Sequence, residues 1–199
     1  MNKELIIRTN SDAVDFALLK DGKLIELHKE QETSNFQVGD IFIAKIRKPV
    51  AGLNAAFVNV GYEKDAFLHY HDLGPNLASQ LKFIKLVSAG KLKDFSLKNF
   101  QFEKEIDKDG SIADAINANQ SILVQVVKEP ISTKGPRICA ELSLAGRFIV
   151  LVPFSDRVSI SQKIEDKKEK DRLKKLVHSI KPKGFGVIVR TVAEGKSTV

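Results

Sequence analysis

A single cysteine, Cys139, stands among the 199 residues of this chain. That excludes an internal disulfide and any zinc site built on cysteines of this chain. No run approaches the ~18 consecutive apolar residues of a membrane-spanning helix. The polar opening Met1-Asn2-Lys3-Glu4 does not read as a secretory signal. A cytoplasmic protein with no membrane partner is therefore expected. Histidine is scarce too, with four in all. His69 and His71 alternate along a strand and turn, where two ligands would need others nearby. His28 and His178 are distant in sequence, so the histidines read as surface residues. Hydroxyls and carboxylates follow no Ser/His/Asp spacing, and pairs such as Asp107 and Asp109 read as exposed turn residues. Gly195-Lys196-Ser197 follows an apolar strand, as a phosphate-wrapping loop would. That loop needs a glycine five positions before Gly195, and Arg190 stands there instead. No complete catalytic centre is legible.

What is present is enough apolar residue for a proper core, with hydrophobic content of 43% and charged content of 29%. One large domain or two small ones fit this length. The net charge of +7 is unevenly placed. Residues 1–37 carry 5 basic and 7 acidic side chains, residues 38–128 carry 12 and 10, and residues 129–199 carry 15 and 8. The last third thus holds a surplus equal to that of the whole chain, and a basic domain suits a polyanion, of which nucleic acid is the commonest.

Residues 1–37 read as a three-stranded meander, with apolar runs over 4–9 and 14–19 and the turn Asp21-Gly22 before a strand over 23–30. Three strands do not bury themselves, so this piece is expected to pack on something else. From Val38 the pattern becomes short strands over 41–49, 53–60, 65–70 and 121–128, which with glycine turns favour a small barrel. Residues 75–110, rich in Lys, Ser and Asn, read as a surface insertion with a short helix near 77–89. A helical turn is expected over 112–117. Ser132-Thr133-Lys134-Gly135-Pro136 is a turn by composition. Strands follow over 138–144 and 148–152, and then a helix over 165–180, whose Leu173, Leu176, Val177 and Ile180 form one apolar stripe. Lys181-Pro182-Lys183-Gly184 stops it before a strand over 185–191. The chain ends at Ser197-Thr198-Val199 without a closing element, which suggests that a longer protein continues.

Two aromatic positions break the alternation. In a strand through Ala55-Ala56-Phe57-Val58-Asn59-Val60, the apolar face is Ala56, Val58 and Val60, which leaves Phe57 with Ala55 and Asn59. In Asp65-Ala66-Phe67-Leu68-His69-Tyr70 the apolar face is Ala66, Leu68 and Tyr70, which leaves Phe67 between Asp65 and His69. An aromatic on a wet sheet face of a basic protein suggests a platform for stacking bases. A loop or second domain covering these rings is the other reading. Arg190-Thr191 ends an apolar strand in the most basic third. An arginine fork plus a hydroxyl suits a phosphate, and an ion pair with a neighbouring carboxylate is the alternative.

Several blocks together resemble the ribonuclease E/G family, its G branch above all. They are Leu53-Asn54-Ala55-Ala56-Phe57-Val58-Asn59-Val60-Gly61, Ala66-Phe67-Leu68, Val124-Gln125-Val126-Val127-Lys128-Glu129-Pro130 and Thr133-Lys134-Gly135. Leu144-Ala145-Gly146-Arg147, Ser161-Gln162-Lys163-Ile164-Glu165, Arg172-Leu173-Lys174-Lys175 and Ile188-Val189-Arg190-Thr191 continue the series in order. Residues 75–110 are the main departure.

The resemblance implies an α+β, mainly β chain. Residues 1–37 would be the N-terminal strands of an RNase H-like subdomain. Residues 38–130 would form an OB-fold RNA-binding barrel of the ribosomal S-one type carrying the 75–110 insertion. Residues 131–199 would belong to an α/β sensor of the RNA 5′ end, truncated. By the same resemblance Phe57, Phe67 and Lys134 match RNA-contacting positions. Independently of it, Lys45, Arg47 and Lys134 are candidate contacts to the RNA backbone. Arg190 and Thr191 match residues that grip a 5′-monophosphate, and Gly146 and Val150 line that pocket. Lys163 and the uncharged Gln162 occupy positions that are often arginines in the family. The implied protein is a single-strand-specific endoribonuclease acting on ribosomal RNA precursors and messenger RNA, homo-oligomeric at full length. Its Mg²⁺ would be held by two aspartates of a DNase I-like domain, and its subunits would be linked through zinc-binding cysteines, all outside this chain. The chain alone is then expected to bind RNA and not to cut it. The alternative is a free-standing OB-fold module acting in translation or ribosome assembly. A third reading is a protein-interaction scaffold using the basic helix over 165–180.

Overall fold

The computed structural model describes residues 2–10, 13–31, 36–92, 94–131 and 134–197. The chain divides into two compact units, Met1–Gln37 and Val38–Val199. In the first, β1 (Lys3–Thr9), β2 (Ala13–Lys20) and β3 (Lys23–Gln31) form an antiparallel meander in that order. Asp21 and Gly22 both take positive φ, 49° and 76°, as the tight turn between twisted strands requires. Leu5, Ile6, Ile7, Leu24, Ile25 and Leu27 are all exposed, so neighbouring residues of β1 leave apolar side chains open on both faces. Among its described residues this sheet buries no apolar side chain. Its place in an RNase H-like subdomain rests on the resemblance.

The second unit opens with β4 (Ile41–Val50), β5 (Ala55–Asn59) and β6 (Ala66–His69). After α1 (Leu77–Ser88) and the single turn α2 (Ile112–Ala115) come β7 (Ser121–Lys128) and β8 (Arg137–Cys139). The five strands close a barrel in the order β4-β5-β6-β8-β7, the five-stranded closure of an OB fold. Its core is Ala44, Ile46, Ala56, Val58, Ala66, Leu68, Ile122, Val124, Val126 and Ile138, each 2% exposed or less. Each such Val, Leu or Ile contributes about 1.5–3 kcal/mol relative to exposure. The closing strand comes from beyond residue 130, because Phe67 pairs in parallel with Arg137 and its N–H donates to the Pro136 carbonyl. Residues 51–53 form a 3₁₀ turn rather than strand, ended by Asn54 at φ 44°. Asn54 then staples the barrel to the end of the insertion: its amide donates to the Gly110 carbonyl, and its side-chain oxygen accepts from the Ile112 N–H.

Residues 75–110 are not merely a surface insertion. Leu77, Ile84 and Leu97 are buried, α1 packs on β7, and Gln80 Nε2 donates to the Ala140 carbonyl at 2.8 Å. Phe83 and Phe100 meet Phe154 edge-on at 5.5 and 6.3 Å. The lysines and serines between these anchors gave the stretch its polar composition.

Beyond the barrel lie β9 (Leu144–Ala145), β10 (Ile149–Pro153), β11 (Val158–Ile160), α3 (Lys167–Ile180) and β12 (Phe185–Val189), with sheet order β11-β12-β10-β9. β10 runs antiparallel and β11 parallel to β12. The strand β11, three residues between Arg157 and Ser161, carries too short a pattern to be read in advance. Asp166 caps α3, its carboxylate accepting the Lys168 N–H at 3.0 Å. Leu173 and Val177 bury against Ile164, Val187, Val189 and Ala193. Ile180 does not join them and is exposed, because α3 ends there and the chain turns away at Lys181. Ser132, Thr133, Thr198 and Val199 of the blocks named above lie outside the described residues. Among the described residues no helix is long and apolar enough to cross a membrane.

Candidate nucleic-acid interface

Phe57 of β5 and Phe67 of β6 are direct cross-strand partners. Alternation turns Ala56, Val58, Ala66 and Leu68 inward and leaves the rings outside, 38% and 36% exposed. Their centroids lie 6.2 Å apart at an interplanar angle of 70°. That edge-to-face contact fixes the pair and leaves no slot between the rings, so each offers its own stacking face. Ala55, on the same side by alternation, is buried and offers no surface there.

An open groove of about 650 Å³ is lined by Phe57, Lys64, Asp65, Phe67, Lys134, Gly135 and Arg137. Lys134 is exposed and sits where the backbone bridges Ile131 to Lys134. The groove wall is brought close by Gly135, where a Cβ would collide with the Asp65 carbonyl. Arg137 was not singled out by its sequence. Its signal was the alternation of β8, which buries Ile138 and turns Arg137 outward beside Phe67. Asp72 takes two guanidinium nitrogens, Nε at 3.3 Å and Nη2 at 2.9 Å, and among the described residues Nη1 has no hydrogen-bond partner. Arg47 pairs with Asp65 at 3.2 Å and so stands at the groove's edge. Lys45 is exposed on β4 opposite Asn59 and Ser121 and does not line the groove.

The second cluster forms where β10 begins and β12 ends. Arg190 N–H donates to the Phe148 carbonyl at 2.8 Å and Nη1 to the Gly146 carbonyl at 2.7 Å. Gly146 closes a turn onto Ile149, and Val150 pairs with both Ala145 and Ile188. Thr191 opens a 3₁₀ turn directly after Arg190. The structure therefore gathers Gly146, Val150, Arg190 and Thr191. Lys163 and Gln162 lie exposed on the next turn, which begins where Ser161 N–H meets the Val189 carbonyl, and among the described residues neither hydrogen-bonds to Arg190. Arg147 adds a cation 5.2 Å from the Phe148 ring. Among the described residues Arg190 forms no ion pair, so a neighbouring carboxylate does not account for it.

Two other groups have shifted pKa values with clear causes. Burial, aided by Asp72 and Glu141, pushes the Cys139 thiol up to about 11, so it is no thiolate nucleophile at neutral pH. The Arg172 guanidinium and the Gly195 N–H hold the Glu169 carboxyl down at about 2. The Gly195-Lys196-Ser197 stretch is thus pinned to α3 rather than shaped around a phosphate. Among the described residues no group of three or more His, Cys, Asp or Glu is placed to hold a metal ion.

Residues 143–199 match the model of the ribonuclease E/G family. The chain is 32% identical over 195 residues to ribonuclease G of Salmonella typhimurium, covering 98% of this chain and 36% of that protein. Against ribonuclease G of Haemophilus influenzae identity is 34% over 194 residues, with the same coverage. Against ribonuclease E of a Nostoc species it is 36% over 165 residues, which is 82% of this chain and 20% of the relative. The chain spans little more than a third of the length of the ribonuclease G relatives, 36%. By these matches and its barrel, the chain is similar to the ribonuclease E/G family, whose model covers residues 143–199.

Proposed function

We propose that this chain is the RNA-engaging part of an endoribonuclease, its barrel holding single-stranded RNA and its second sheet sensing a 5′-monophosphate. The observation that carries the reading is the exposed Phe57–Phe67 pair beside Lys134 and Arg137 on one barrel wall. Bases stack on the two rings, each stack contributing about 1–3 kcal/mol, while the cations meet the phosphates. Arg190 and Thr191 grip the terminal phosphate, the guanidinium giving charge-assisted bonds and the hydroxyl a further donor. Hydrolysis with Mg²⁺ belongs on this reading to residues outside this chain, as does the zinc link of a homo-oligomer. The chain itself binds and does not cut. The whole protein would act in the cytoplasm on ribosomal RNA precursors and messenger RNA.

The test is the double variant Phe57→Ala with Phe67→Ala, titrated with a fluorescent single-stranded RNA. Affinity is expected to fall about tenfold or more, equivalent to ~1.4 kcal/mol. Both side chains point out of the barrel, so the variant keeps its circular dichroism. Unchanged affinity in the folded variant removes the barrel from RNA binding.

A further inference from the structure

Residues 94–98 of the insertion form a shelf beside the turn that follows α3. The Asp94 carboxylate accepts the Ser96 N–H at 2.8 Å and its hydroxyl at 2.7 Å, which fixes the bend. Leu97 is buried and lies against Gly184, where φ is +85° and a Cβ would collide with the Leu97 side chain. Shelf and turn are therefore locked together. Between them runs an open slot of about 410 Å³, lined by Phe95, Leu97, Lys98, Pro182, Lys183 and Phe185 among others.

The slot has three features that a plain surface crevice lacks. Phe95 is 65% exposed although the residues on both sides of it are anchored. Phe83 and Phe100, on either side of it in sequence, pack on each other and on Phe154, whereas Phe95 joins no ring contact among the described residues. Lys98 and Lys183 stand at the slot without an ion pair among those residues. Asp94, a carboxylate that the Lys98 charge influences, is already bonded to Ser96. An apolar floor with an open aromatic and two uncommitted cations repeats the chemistry of the Phe57–Phe67 groove.

We propose that this slot is a second contact for single-stranded RNA, in which an unpaired base stacks on Phe95 while Lys98 and Lys183 hold the flanking phosphates. It rests on the reading that the partner is RNA. Charge selects a polyanion, and stacking on an aromatic face accepts any base. Position supports it as well. β12 starts at Phe185, in the slot, and ends beside Arg190, about 17 Å away at the rise of an extended strand. An RNA end held at Arg190 has the slot within reach.

The test uses the whole chain and two fluorescent 5′-hydroxyl RNAs, one of about 5 nucleotides, enough for one OB barrel, and one of about 20. Phe95→Ala, and separately Lys98→Glu with Lys183→Glu, should each weaken the longer RNA about three- to tenfold and leave the shorter within about twofold. Ultraviolet crosslinking of the longer RNA to the wild type should mark the peptide bearing Phe95. Unchanged affinity of the longer RNA in folded Phe95→Ala overturns the proposal, as does a loss confined to the charge reversals. A wild type that binds an acidic aromatic peptide there, with RNA affinity indifferent to Phe95, assigns the slot to protein and overturns it too. The barrel reading fails separately, by the Phe57→Ala/Phe67→Ala titration.

Discussion

Arg190 is held by its backbone and by one nitrogen, Nη1, which donates to the Gly146 carbonyl. Nε and Nη2 have no partner among the described residues, and the side chain is exposed. A guanidinium anchored at one corner and open at the other two suits one compact anion, since two parallel charge-assisted bonds are worth more than a point charge in water. Arg190→Ala should therefore abolish the preference for 5′-monophosphate over 5′-hydroxyl RNA while sparing affinity for the 5′-hydroxyl form. Competition between the two oligonucleotides measures this, and a preference that survives the substitution assigns phosphate recognition to other side chains. At this scale the sequence was most informative where alternation decides the face. It put Phe57 and Phe67 outside because Ala56, Val58, Ala66 and Leu68 had to be inside. It did not reveal that Arg47 meets Asp65 or that Arg137 meets Asp72, since those partners lie 18 and 65 positions apart.

At the scale of elements, α3 is tied to the end of the described chain by one carboxylate. Glu169 accepts from Arg172 at 2.7 Å and from the Gly195 N–H at 2.9 Å, and Arg172 reaches on to the Lys196 carbonyl at 3.1 Å. These bonds favour the ionised form and lower the Glu169 pKa from 4.5 to about 2. The contribution is thus full above pH 4.5 and lost as pH falls through the window down to about 2, where the unfolded chain binds a proton that the native chain refuses. Glu169→Gln removes the shift. Its Tm should lie below that of the wild type near neutral pH, and the gap should close as the solution is acidified through that window. A gap that stays constant there means that Glu169 is not coupled to folding. The helix itself was legible from its apolar spacing, and its start moved only to the residue that Asp166 caps. The stripe was overextended to Ile180, because a period of 3.6 says nothing of where the supporting sheet stops.

The whole second unit is held by long-range ties through the insertion, the part whose role was least legible. Arg157 forms an ion pair with Glu105 at 2.7 Å, Tyr70 Oη donates to the Asp107 carbonyl at 2.6 Å, and Gly110 lies against the Tyr70 ring so closely that no Cβ fits. The exposed ion pair contributes little. More of the stability comes from the aromatic cluster, in which Phe83 of α1 meets Phe100 at 5.6 Å and Phe154 at 5.5 Å. Composition hid this because Phe83, Phe100 and Phe154, three phenylalanines spaced along 72 residues, form a cluster only after folding. A surface insertion and a packed one make different predictions for Phe83→Ala. In the first case the change falls within about 0.5 kcal/mol. In the second, truncating the ring leaves a cavity and costs about 3 kcal/mol, the low end for Phe→Ala because Phe83 is half-buried. The packed arrangement is the one observed, so urea unfolding followed by far-ultraviolet circular dichroism should show the larger loss. RNA affinity under native conditions should stay intact, since Phe83 lines neither the Phe57–Phe67 groove nor the Phe95 slot. A shift below about 0.5 kcal/mol would mean that the Phe83–Phe100–Phe154 cluster does not help hold the second unit together.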